Sequence, residues 1–229
     1  MDLQDLNFIG NDPGAAKHGN FINYYKFHTP DERIKLLPKT VWPDPCYCLD
    51  IGCNSGDMTM AFSTFLNECS SSNEILGIDI DPVLIERAKE NCSSKKINFE
   101  CINIMNSNDL EIIQKYLSKK KITKFNVVTC FSITMWIHLN NGDSGLRTFL
   151  QRISEFGEVL IIEPQPWKCY KTAVKRMRRA NFEFPHFNTL TFRGNIEIDI
   201  ENILTNEFRK KKIFETQNNN WGRKLLFFQ

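Results

Sequence analysis

A strand, a glycine turn and a distant carboxylate constrain this chain more than any other feature in it. Cys46 to Ile51 reads as a buried strand that enters the turn Gly52-Cys53-Asn54-Ser55-Gly56, after which a helix begins. Gly52 and Gly56 stand where the backbone must bend tightly and where a Cβ would keep a ligand away from the main chain. A second short apolar strand, Ile75 to Ile78, ends in Asp79, 23 residues beyond Gly56. In a doubly wound sheet a carboxylate at that place reaches the ribose hydroxyls of a nucleoside. Dinucleotide sites ask for G-x-G-x-x-G so that backbone amides can approach a pyrophosphate. Here Asn54 replaces the middle glycine, and the pattern D-x-G-x-x-x-G suits a ligand with a ribose and no pyrophosphate.

With 229 residues, 41% of them hydrophobic and 24% charged, the chain fits one globular domain with a full core. We expect a disordered tail over residues 1–18 and a single domain over 19–229. No apolar run reaches the ~18 residues of a membrane span, and the polar N-terminus is unlike a signal peptide. The eight cysteines include no CxxC pair, so no metal site is expected, and they read as reduced, mostly buried thiols of a cytoplasmic or nuclear protein. The net charge of +2 is small but unevenly spread. Trp167 to Phe182 holds Lys168, Lys171, Lys175, Arg176, Arg178 and Arg179 with no acid, as a surface facing a polyanion would. The lysines of 115–124 and the run Arg209 to Lys212 read as solvated faces.

Thr29-Pro30-Asp31-Glu32 has the form of a capping box opening a helix that carries Arg33 to about Leu37. Strands are expected at 46–51, 75–79, 98–102, 126–131 and 158–162, alternating with helices at 56–68, 82–92, 108–119 and 143–156. Five alternations argue for a parallel sheet between helical layers. A helix at 197–208 then leads to two strands, 210–216 and 223–228, across the loop Gln217-Asn218-Asn219-Asn220, as in a hairpin.

The turn and the strand-end carboxylate together resemble the S-adenosylmethionine motif of class I methyltransferases. That resemblance implies a Rossmann-like α/β fold with a seven-stranded, mostly parallel sheet and a C-terminal antiparallel hairpin. It also gives the strand ends their roles. Asp79 would take the ribose hydroxyls, with Asp81 serving as a helix cap. Asp50, Gly52, Cys53 and Asn54 would surround the methionine end, and Arg33 would meet its carboxylate. Asn103 and Ile104 would read and pack the adenine, and Phe131 would face the same crevice. At the fifth strand's end the helix from Trp167 would offer Lys168, Lys171 and its N-terminus to a phosphate.

Longer strings narrow the resemblance. Residues 19–28 (GNFINYYKFH), 49–56 (LDIGCNSG), 134–140 (TMWIHLN) and 163–167 (EPQPW) resemble the bicoid-interacting family of RNA 5′-phosphate methyltransferases from residue 19 to the end. Met135 and the run Trp167 to Tyr170 resemble its 5′-monophosphate branch, which acts on histidine tRNA and precursor microRNA. The resemblance implies that Arg33, Asn54, Asp79, Asn103, Ile104 and Phe131 line the cofactor site. The family commonly carries an acid where Asn103 stands. Tyr24, Tyr25, Trp136, Trp167 and Trp221 are candidates to stack on the first nucleotide, and Tyr24 and His28 are candidates to meet the substrate phosphate; His138 is a second histidine to weigh. A terminal phosphate has its second pKa near ~6 and arrives largely as a dianion, so no residue is assigned as a catalytic base. The expected partner is a small RNA with a 5′-phosphate, with the protein acting as a monomer and needing no membrane or metal. Two other readings remain: capping of the γ-phosphate of a nuclear small RNA, and a catalytically silent RNA-binding module on the same fold.

Overall fold

The computed structural model describes residues 6–7, 15–40 and 42–229. Two short helices, α1 (Tyr24–Phe27) and α2 (Asp31–Ile34), precede an alternating series. It runs β1 (Cys46–Ile51), α3 (Asp57–Asn67), β2 (Asn73–Asp79), α4 (Pro82–Asn91), β3 (Ile97–Cys101), α5 (Leu110–Lys120) and β4 (Phe125–Phe131). Next come α6 (Thr134–Phe156), β5 (Gly157–Glu163) and α7 (Trp167–Arg179), then α8 (Ile196–Asn202), β6 (Lys212–Glu215) and β7 (Leu226–Phe228). The seven strands form one sheet in the order β3-β2-β1-β4-β5-β7-β6. The first five are parallel, while β7 runs antiparallel to both β5 and β6.

The central strands are buried along nearly their whole length, as strands covered on both faces must be. On one face Met58, Phe62 and Leu66 of α3 and Ile85 and Ala88 of α4 pack against Cys48, Ile75, Val127 and Phe227. The other face carries Leu146, Phe149 and Ile153 of α6, Tyr170, Val174 and Met177 of α7, and Ile200 of α8. The buried stripe of α7, Tyr170, Ala173, Val174 and Met177, is therefore core, and the helix's basic residues lie outside it.

Asp81 caps α4 as the sequence implied, accepting from the Val83 amide at 2.8 Å with Pro82 in the first turn. Four expectations are corrected. The capping box at Thr29 does not form: α2 is a single turn with no side-chain cap. Helix α6 begins at Thr134, nine residues before the expected start at 143, and breaks at Gly142 (φ 70°, ψ −173°) rather than ending there. The two C-terminal strands are shorter, and the connection between them spans residues 216–225 instead of four. Of the tail, Ala15 and Ala16 are buried and the Leu6 carbonyl accepts from Asn20 Nδ2 at 2.9 Å. Residues 1–5 and 8–14 lie outside the described residues.

Candidate active site

The parallel strands bring their carboxyl ends to one edge, where residues far apart in sequence meet. A cavity of about 280 Å³ opens there. Gly52 and Asn54 from the turn, Asp79 from β2, Asn103 and Ile104 after β3, and Phe131 from β4 all line it. The segment from Gly19 crosses above: the Phe21 carbonyl accepts from Asn54 Nδ2 at 3.1 Å, and Asn20 Nδ2 donates to Asp81 Oδ2 at 2.7 Å. Tyr24 and Tyr25 extend this cover over the opening.

Asp79 is the carboxylate of this cavity. Its Oδ2 accepts from the Asn54 amide at 2.9 Å and its Oδ1 from the Asp81 amide at 3.0 Å. Each oxygen keeps a further acceptor site. Burial raises its pKa to about 6, even though the amides of Asp81 and Asn54 pull the other way.

The turn bends as expected, with φ at 78° for Gly52 and 82° for Gly56. A Cβ at Gly52 would fall 2.2 Å from Ile133 Cγ2, and one at Gly56 would fall 2.8 Å from Phe99 Cζ, so the protein's own side chains already exclude one at both positions.

Asp50 is not part of the cavity. Its Oδ2 accepts from the Thr59 hydroxyl at 2.5 Å and its Oδ1 from the Thr129 hydroxyl at 2.6 Å, tying β1 to α3 and β4. Asn103 lines the cavity, but its Oδ1 is already engaged by the Met105 amide at 2.9 Å, which leaves its amide group for a ligand.

Arg33 is fully buried and forms the centre of a charged network. Its Nε and Nη2 donate to Glu163 Oε2 at 3.2 and 2.8 Å, and Nη2 also reaches Tyr24 Oη (2.9 Å) and Ser132 Oγ (3.0 Å). Burial opposes its charge, but Glu163 more than offsets this and holds the pKa above the ordinary arginine value. Its Nη1 is buried with no partner. The Ser132 hydroxyl donates to Glu163 Oε2, and Glu163 Oε1 accepts from Asn219 Nδ2 at 2.8 Å. Arg223 Nη1 donates to Ser132 Oγ at 2.6 Å. Sequence reasoning quoted Glu163 without giving it a role and passed over Arg223. A lone acid ending a buried apolar strand was the signal for Glu163; Arg223 left none, because its side-chain partners are 54 to 91 residues away.

A second, larger cavity of about 900 Å³ shares Tyr24, Ser132 and Trp136 with the first. Its cations are Lys168, Arg176 and Arg223, and no acidic residue lines it among the described residues. Lys171 is not on this wall. The face of α7 turned to the cavity holds 168, 172 and 176, successive i, i+4 steps, whereas 171 points about 100° or more away. His28 does line the cavity, stacked on Tyr24 at 4.6 Å. Burial, then Arg223 and Arg33, push its pKa down to about 4, so the ring is neutral at pH 7. His138 is fully buried and bonded at both nitrogens, to Tyr170 Oη (3.1 Å) and Asp143 Oδ1 (2.7 Å), which makes it structural. Of the aromatic candidates, Trp136 and Tyr24 line both cavities and Tyr25 lines the first. Trp167 stacks on Phe187, and Trp221 covers Arg33 at 4.9 Å. No cluster of three metal-binding side chains occurs among the described residues.

Fold and site together define a class I methyltransferase. A methyltransferase-domain family model matches residues 49–159. Two solved structures share the fold: the magnesium protoporphyrin IX methyltransferase of Synechocystis and the N-methyltransferase NodS of Bradyrhizobium japonicum. The first has a TM-score of 0.55 at 13% identity, over 95% of this chain and 99% of that one. NodS also has a TM-score of 0.55, at 14% identity over 90% and 97%. The chain belongs to the family of bicoid-interacting protein 3, whose model matches residues 125–229. Its relatives include the RNA 5′-monophosphate methyltransferase of Homo sapiens, 39% identical over 95% of this chain and 82% of the relative. The pre-miRNA 5′-monophosphate methyltransferase of Xenopus laevis is also 39% identical, over 95% and 94%.

Proposed function

We propose that this protein methylates the 5′-monophosphate of RNA with S-adenosyl-L-methionine as the methyl donor. The observation that carries the reading is the meeting of two unlike cavities at Tyr24, Ser132 and Trp136. One is built for a nucleoside with an amino acid tail; the other is cationic and free of acids.

The residues of the first cavity fit the cofactor. Asp79 has acceptor sites for ribose hydroxyls, and Ile104 and Phe131 offer apolar packing to a base. Arg33, expected at the methionine carboxylate, is on neither cavity wall: it lies behind Tyr24 and Phe131, its guanidinium carbon 5.8 and 5.6 Å from their rings. When bound, S-adenosylmethionine supplies a methyl group on a positively charged sulfur. The chain's own task is then to hold an RNA phosphate against that group and to keep water out. Alignment of this kind contributes roughly 7–11 kcal/mol in favourable systems. A terminal phosphate is largely dianionic at neutral pH, so no side chain has to remove a proton. His28, which lines the second cavity, is neutral at pH 7 because burial and the neighbouring arginines lower its pKa.

All eight cysteines are free thiols, which supports a reducing compartment, and we place the protein in the cytoplasm with access to the nucleus. We take a monomer as the working unit. The test is transfer of labelled methyl to one RNA prepared with 5′-monophosphate, 5′-triphosphate or 5′-hydroxyl ends, in the sequences of a precursor microRNA and a histidine tRNA. We expect the monophosphate to be the best acceptor and the hydroxyl to be inert. Equal transfer to the hydroxyl end would rule out phosphate as acceptor, and a triphosphate preference would move the protein to the γ-phosphate reading.

A further inference from the structure

Two guanidinium groups meet one carboxylate where the cavities join. Glu163 is already engaged at both oxygens: Oε2 takes Arg33 and Ser132, and Oε1 takes Asn219. Arg223 is left 3.8 Å from it, too far for a good hydrogen bond. The network of Arg33, Arg223 and Glu163 thus carries one uncompensated positive charge, buried beside the second cavity.

The free donors are arranged as a fork. Arg223 spends Nη1 on Ser132, at 2.6 Å. Its Nη2 has a long thiol contact, 3.9 Å to Cys169 Sγ, and its Nε is buried with no partner. Nε and Nη2 form one edge of the guanidinium, the edge that grips two oxygens of a phosphate at once. Arg223 is itself 9% exposed and lines the second cavity, as do Lys168 and the Ser132 that links it to the first. An unpaired donor at this depth costs free energy unless a ligand satisfies it.

We infer that the Nε–Nη2 edge of Arg223 is the receptor for the acceptor phosphate, gripping two of its oxygens and leaving the third to the reaction. Lys168 at the start of α7 adds charge from the side. Ser132 fixes the fork: its hydroxyl accepts from Arg33 and Arg223 and donates to Glu163, so both arginines share one anchor. The residue adopts φ 59°, an uncommon conformation for a side chain other than glycine, and strain of this kind gathers at working sites. Discrimination of a phosphorylated from an unphosphorylated RNA end therefore rests on Arg223, a residue near the far end of the chain.

This assignment rests on the reading of the protein as a 5′-phosphate methyltransferase, and the experiment separates the two. Binding of one RNA oligonucleotide with a 5′-monophosphate or a 5′-hydroxyl end is measured by fluorescence anisotropy, in the presence of S-adenosylhomocysteine. Wild type, Arg223→Gln and Arg223→Lys are compared. We expect the wild type to favour the phosphate by about tenfold or more. Arg223→Gln brings that ratio close to one, with S-adenosylhomocysteine still bound in calorimetry. If Arg223→Gln fails to fold, Arg223→Lys decides, because it keeps the charge and loses the fork: its ratio falls below wild type. A variant that keeps the wild-type ratio overturns the role of Arg223. A wild type with no preference for the phosphate overturns the parent reading instead.

Discussion

Asp50, next to the end of β1, and Asp79, which ends the neighbouring β2, are read from sequence as ligands of the two ends of one cofactor. Their surroundings separate them. Thr59 and Thr129 take both oxygens of Asp50, while Asp79 faces backbone amides on one side and the cavity on the other. Burial lifts the pKa of Asp79 to about 6. The folded state therefore holds this proton more tightly than the unfolded chain. The stability that protonation confers is present below pH ~4 and is lost as pH rises through about 6. Ligand binding runs the other way, since the protonated carboxyl accepts fewer hydrogen bonds from a ribose. Affinity for S-adenosylhomocysteine, measured by calorimetry, should fall between pH 7 and pH 5. Asp79→Ala should bind it too weakly to measure at any pH. A flat wild-type curve would show that Asp79 does not hold the ribose.

At the scale of elements, the position of the basic wall depends on how α7 sits against α6. Tyr170 Oη bonds His138 Nδ1 at 3.1 Å, and Asp143 Oδ1 takes the other ring nitrogen at 2.7 Å, across the break at Gly142. Asp143 Oδ2 also accepts from the Thr191 amide and hydroxyl, so the chain drags three segments together at one buried ring. Tyr170→Phe leaves a buried ring nitrogen without its partner, which should cost about 1–3 kcal/mol in urea unfolding. The alternation of β1 to β5 with helices was legible because hydrophobic burial imposes a period on sequence. The first half of α6 was not. Asn140, Asn141 and Gly142 look like a loop, and the break they mark is real, but the helix resumes across it because His138 and Leu139 are buried against the sheet's helical layer. Lys171 was misplaced for a related reason: charge density shows that a helix is basic, not which of its flanks faces a cavity.

For the whole molecule, the last fourteen residues are both core and site. Strand β7 lies between β5 and β6, and Leu226, Phe227 and Phe228 are all buried. Burying each such side chain contributes about 1.5–3 kcal/mol. The connection 216–225 delivers Asn219 to Glu163 and Arg223 to Ser132. Truncation after Glu215 should therefore abolish cooperative thermal unfolding followed by circular dichroism, instead of giving a folded protein that has merely lost activity.

The sequence by itself settled the parallel α/β architecture and the glycine turn, because each is written in short stretches where spacing and residue type follow from local geometry. It also settled the family, through strings long enough to be specific. Only the tertiary structure decided which polar groups are already satisfied by the protein and which remain for a ligand. Hydrogen-bond saturation is a property of neighbours in space. Asp50 is closed by threonines on two other elements, Arg33 is shared with Glu163 from 130 residues away, and Arg223 stands 3.8 Å from that carboxylate, outside good hydrogen-bond distance.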